Sequence, residues 1–114
     1  MTKIELPKEG FVAIKQYKQQ PVFFFRFNPV ETENETVVCD ETTIALHDAD
    51  YASMVAKCIG VKYNTDAQLA LLYNYEADPE KYAGDMAEYQ EWRTYCKEAA
   101  RVFFGIEEEK GGKS

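Results

Sequence analysis

The sequence predicts an α+β fold: a small antiparallel sheet from the N-terminal half, packed against three C-terminal helices, the last one long. Three observations predict it. Ahead of Asp48, apolar residues alternate with a period of two, as in half-buried strands. From Asp48 onward the period changes to about 3.6, that of amphipathic helices. Strand-like and helix-like segments do not alternate, so no βαβ unit is expected, and the helices should gather on one face of the sheet.

The strands come first. Ile4 and Leu6 alternate before Pro7 and Gly10, which suits a short edge strand or an ordered arm. Phe11 to Tyr17 has strand character, with Val12 and Ile14 on one side and Phe11, Ala13 and Tyr17 on the other. Lys18-Gln19-Gln20-Pro21 reads as the turn after it. Val22 to Asn28 carries the strongest strand signal. Phe23, Phe25 and Phe27 face one way, toward the helices; Val22, Phe24 and Arg26 face the other. Pro29 is expected to end this strand because it cannot donate to the ladder. A strand apolar on both faces needs cover on both, from the N-terminal arm or from a second chain. Val37–Cys39 and Thr42–Ile44 read as the return strand, bent near Asp40-Glu41.

The helices follow. Tyr51, Met54, Val55, Cys58 and Ile59 share one helical face, with Asp48 or Asp50 capping the start and Gly60 the end. Thr65-Asp66-Ala67-Gln68 has the spacing of a capping box. It opens a helix carrying Leu69, Leu72 and Tyr73 on one face, broadened by Leu71 and Tyr75. Asp78-Pro79 then starts the long helix, with Asp78 as N-cap and Pro79 where its missing N–H is unneeded. Its stripe is Tyr82, Met86, Tyr89, Trp92, Arg93, Cys96, Ala99, Ala100 and Phe103. Gly105 suits the position after its last turn. Residues 1–105 are expected to form a single α+β domain, and 106–114 a flexible charged tail.

Charge and composition exclude several function classes. Net charge is −7, and residues 27–56 contain seven acids with no Lys or Arg. That balance disfavours polyphosphate partners, so no nucleic acid is expected. No apolar run reaches membrane-spanning length, so no membrane partner is expected. The N-terminal residues lack an apolar signal region, which makes the cytoplasm the expected location. Cys39, Cys58 and Cys96 are odd in number and match no CxxC spacing, so they read as reduced core residues.

The residues able to carry chemistry are few. His47, Asp48 and Asp50 could hold a divalent metal or support a metal-dependent enzyme, but both aspartates also suit helix capping and no second His exists. Glu31, Glu33 and Glu35 alternate and would point the same way in extended chain. With Asp40 and Glu41 they form a candidate acidic patch, readable as a solvated hairpin edge or as a surface for a basic partner. Neither cofactor nor metal is expected. The candidate partner-contact residues are Phe24 and Arg26 on the second strand face, Trp92 and Arg93 at the flank of the long helix, and Tyr75 and Tyr95. Tyr, Trp and Arg dominate binding hot spots.

Four phrases add a family resemblance: Gly10 to Tyr17, Phe25 to Glu31, Asp66 to Leu72, and Asp78 to Tyr82 leading to Trp92-Arg93. The chain resembles small accessory proteins of bacteriophage and prophage tail modules, including tail-fibre-assembly-like proteins. The resemblance runs from Gly10 to about Arg101. It implies a non-enzymatic structural or chaperone-like role, a phage or prophage origin and an association with virions, and it carries no functional residues. The expectation is therefore a protein acting through protein–protein contacts, including contacts with itself as a homo-oligomer. The alternatives are an acidic, charge-driven binder or inhibitor of a basic partner, and the metal-dependent enzyme.

Overall fold

The computed structural model describes residues 2–16, 21–46 and 50–106. Among them the chain forms four strands and then three helices. These are β1 (Thr2–Pro7), β2 (Ile14–Gln16), β3 (Val22–Glu31), β4 (Thr36–Ala45), α1 (Tyr51–Lys62), α2 (Thr65–Ala77) and α3 (Ala83–Phe104). The strands make one antiparallel sheet in the order β1-β4-β3-β2. The α+β expectation holds, with the long helix last. His47 and Asp48, the polar turn at 18–20 and the tail at 107–114 lie outside the described residues.

Strand β3 organises the sheet. Phe23, Phe25 and Phe27 are buried against the helices at 2%, 0% and 1% exposure. Each ring so covered contributes about 2–3 kcal/mol of transfer free energy. Pro29 does not end the strand. Phe27 pairs with Asp40 but Val30 pairs with Val38, so β3 carries one residue more than β4 between these pairs. This β-bulge houses Asn28 at φ 55° and Pro29, whose missing N–H costs nothing in an interrupted ladder. Asn tolerates the left-handed region better than most residues. Its side chain donates to Asp40 Oδ2 at 2.9 Å, across the bulge. Opposite, Asp40 and Glu41 lie within one continuous β4 rather than at a bend.

The sheet has a second cluster on its outer face. Cross-strand register places Leu6 beside Val37, Ile4 beside Cys39 and Arg26 beside Glu41. Val37 and Cys39 are buried at 4% and 0% exposure but stand apart from the core beneath the helices. The connection from β1 to β2 must travel from one edge of the sheet to the other. It is tied to the β3–β4 turn by Lys8 N–H donating to the Glu35 carbonyl, and to β3 by Arg26 donating to the Val12 carbonyl. The N-terminal arm therefore supplies cover for the outer face.

The helices start and stop for local reasons. Asp50 caps α1 by accepting from Ser53 N–H at 2.7 Å. That bond holds its carboxyl below the usual range. Gly60 lies inside α1, which runs on to Lys62. The cap of α2 is Asn64, accepting from Ala67 N–H. Thr65 is the first helical residue, and Gln68 instead donates to the Tyr63 carbonyl. Asp78 ends α2 and caps a turn through Lys81 N–H, so α3 begins at Ala83, later than the Asp-Pro signal predicts. Gly105, at φ 69°, closes α3. Its N–H bonds the Val102 carbonyl and that of Ile106 bonds the Arg101 carbonyl, the paired pattern of a Schellman motif.

Candidate functional site

The core takes up two of the four aromatic residues that look like contact residues in sequence, Trp92 and Tyr95. Trp92 is corrected from partner contact to core: it is 6% exposed, wedged edge-on against Phe25 and Phe27 at 5.7 and 5.4 Å. Its indole Nε1 donates to the Ile59 carbonyl at 3.1 Å, joining α3 to α1. It lies near the middle of the buried stripe, so its flank position on the helical wheel was misleading. Tyr95 stacks on Trp92 and its hydroxyl donates to the Arg26 carbonyl at 2.7 Å. Burial pushes its phenol up to about 12.

Arg26 is likewise corrected from contact to buried cation. It is 6% exposed, and its Nε lies 3.0 Å from Glu41 Oε2. A buried guanidinium without a counter-charge would be costly, so the cross-strand carboxylate is what permits it. Phe24 is half-buried beside it on the outer face. Arg93 is half-buried over the Tyr89 ring and donates to Gln90. Of the six candidate contacts, only Tyr75 is exposed, and it stands on α2.

The acidic patch does not form one surface. Glu41 belongs to Arg26. Asp40, on the opposite face of the sheet, takes the Asn28 amide and Lys3 Nζ at 3.0 Å, which together hold its carboxyl below the usual range. Glu31 pairs with Lys8. Glu33 and Glu35 sit on the β3–β4 turn, with Glu35 at φ 61°, so the three glutamates are not aligned as in extended chain.

The thiols are placed as core. Cys39, Cys58 and Cys96 are all fully buried. Burial pushes the Cys39 thiol up; a hydrogen bond with Cys58, together with burial, pushes that of Cys96 up. Raised thiols are poor nucleophiles at neutral pH. Asp50 of the candidate metal set is occupied in capping α1, and among the described residues no three His, Cys, Asp or Glu side chains converge to hold a metal.

Two clefts flank Tyr63. One, of about 380 Å³, lies between Lys62, Trp92 and the Asn28-Pro29 bulge; the other, of about 440 Å³, runs between the helices past Gln68, Tyr89 and Arg93. Both are open. Lys62 Nζ stands 4.5 Å over the Trp92 ring, and the Tyr89 hydroxyl and Gln68 Oε1 are 2.6 Å apart. Tyr63 packs edge-on against Tyr89, and burial, aided by Glu88 and Asp85, raises its phenol.

Of the three helices, α2 buries the fewest side chains. This helix buries only Leu71. Leu69, Leu72 and Tyr73 are exposed at 48%, 46% and 70%. Sequence reasoning placed these three on one face and treated Leu71 as a flank. The structure keeps the face and reverses its direction: Leu71 points to the core and the triple points to solvent. Gln68, bonded to the Tyr63 carbonyl and the Tyr89 hydroxyl, ties the Leu71 side of the helix inward, a tertiary contact that helical spacing alone does not convey.

The chain matches no family model, and neither the characterised proteins nor the solved structures compared with it match it.

Proposed function

We propose that this chain is a non-enzymatic accessory protein that works through protein–protein contacts, with the exposed face of α2 as its contact surface. One observation carries the reading: a helix of 13 residues puts a single side chain into the core while three large apolar side chains stand together in solvent. Isolated exposed apolar residues are ordinary, but a contiguous set on one helix face suits docking against another protein. Tyr73 adds the amphipathic ring favoured in such contacts. The resemblance to phage and prophage tail-module accessory proteins supports the same reading and the same class of role.

A surface formed by the acids of residues 27–56 is the weaker alternative, because Glu31, Asp40 and Glu41 already hold bases of this chain. The test is site-specific crosslinking in cells. A photo-crosslinking amino acid in place of Tyr73 should give discrete protein adducts, and one in place of Glu33 should not. Adducts from Glu33 alone, or from neither position, would refute the assignment of α2.

A further inference from the structure

The exposed stripe of α2 has a charge pattern that selects its occupant. Asp66, Leu69, Tyr73 and Glu76 follow at spacings of three and four, and Leu72 lies beside them. Asp66 and Glu76 are both exposed, one at each end of the apolar triple. No Lys or Arg occurs between Tyr63 and Glu80. The two flanking bases are engaged with rings, Lys62 over Trp92 and Lys81 over Tyr82.

A second copy docking through its own α2 fits that pattern poorly. Two α2 helices packed antiparallel would set Asp66 opposite Glu76 at both ends; packed parallel, each acid would meet itself. Either way carboxylate faces carboxylate, while an apolar helix with a base at each end satisfies both acids. We infer that the α2 face docks a basic amphipathic helix of another protein, through Leu69, Leu72 and Tyr73 with Asp66 and Glu76 as its anchors. The inference rests on the reading of α2 as the contact surface. Apolar contact supplies the affinity, and the two exposed ion pairs supply orientation and choice of partner.

The test titrates the full chain, isotopically labelled, with a synthetic amphipathic helical peptide of Leu and Ala carrying Lys at both ends. A matched peptide with Glu in place of Lys is the control, and the amide spectrum is the readout. The Lys peptide should give saturable shifts centred on α2, and the Glu peptide none. Asp66→Asn with Glu76→Gln should weaken binding about fivefold, as expected for two exposed pairs, and added salt should do the same. Leu72→Ala with Tyr73→Ala should weaken it further. Equal binding of both peptides, or indifference to the Asp66 and Glu76 changes, overturns the choice of a basic partner but leaves α2 as a contact surface. Concentration-dependent α2 shifts without peptide, with a dimer mass in sedimentation, overturn it in favour of a second copy and also leave α2 as the surface. A monomer whose α2 amides respond to neither peptide overturns both readings.

Discussion

Arg26 on β3 is 6% exposed, and its Nε lies 3.0 Å from Glu41 Oε2. It reads as a surface cation in a strand, yet it is enclosed by its own chain, with its charge met by Glu41 one strand away. Because Glu41 remains partly exposed, Glu41→Ala should cost about 2–3 kcal/mol, somewhat below the range for a fully buried pair. Glu41→Gln, which keeps an acceptor, should cost less; urea unfolding measures both. Tyr95 makes a second residue-scale prediction. Its folded pKa of about 12 lies above its ordinary 10.0, so the native state holds the phenolic proton more tightly than the unfolded chain. That contribution is fully present below pH 10 and is lost as pH rises toward the folded value. Stability should therefore fall across this alkaline window, and Tyr95→Phe should flatten the fall while costing about 1 kcal/mol at neutral pH for the lost hydrogen bond. Asp40 acts at the other end of the scale. Its lowered carboxyl favours the native state above its ordinary value of 3.8, and that preference is lost as pH falls through the folded value. Asp40→Asn should make stability less sensitive to acid in the same unfolding assay.

At the scale of elements, α2 and the β3 bulge are the informative cases. If Leu71 anchors α2, Leu71→Ala should cost about 2 kcal/mol, while Leu69→Ala and Leu72→Ala should each cost under about 0.5 kcal/mol. A reversed order in urea unfolding would mean the helix is turned the other way. The bulge shows what a single backbone conformation can do. With Asn28 in the left-handed region, β3 absorbs Pro29 and continues to Glu31. Asn28→Val should cost at least about 1–2 kcal/mol in the same assay, from backbone strain and from the lost bond to Asp40. Pro29 interrupts the ladder, but it does not end the strand as its sequence signal predicts. What that signal could not convey was that an extra residue on one strand lets pairing resume beyond it.

At the scale of the molecule, the protein is a sheet with unequal faces. The helix-side face is a continuous aromatic core in which Phe23, Phe25 and Phe27 meet Trp92, Tyr95 and Phe103. The outer face holds a smaller cluster around Cys39, completed by the β1–β2 connection. Helix α2 stands at the margin, tied in by Leu71, Gln68 and the Tyr63–Tyr89 pair. Amide hydrogen exchange should follow this layout: slowest in β3, β4, α1 and the middle of α3, and markedly faster in α2, which can open without uncovering the aromatic core. Protection of α2 equal to that of α3 would contradict this layout.

The order and type of the elements follow from the chain's own periodicity and turn residues. Periodicity fixes which side chains share a face, because it depends only on the geometry of the backbone; hence the strand Val22 to Asn28, the helix stripes and the Gly105 stop were all legible. The caps that start α1 and α2 were legible to within a position, since Asp, Asn and Thr compete for the same backbone donors; the end of α1 and the start of α3 were not, lying three and four residues beyond the Gly60 and Asp78 signals. Which way each face points and which charges meet follow from packing between elements. Leu69, Leu72 and Tyr73 form the same stripe whether buried or exposed, and their exposure depends on how much core surface remains once α1 and α3 have covered β3. Arg26 and Glu41 are distant in sequence and become partners only through the β3–β4 register. The candidate site therefore lay outside the sequence's reach even though its residues did not, because exposure is a property of what packs against a helix rather than of the helix itself.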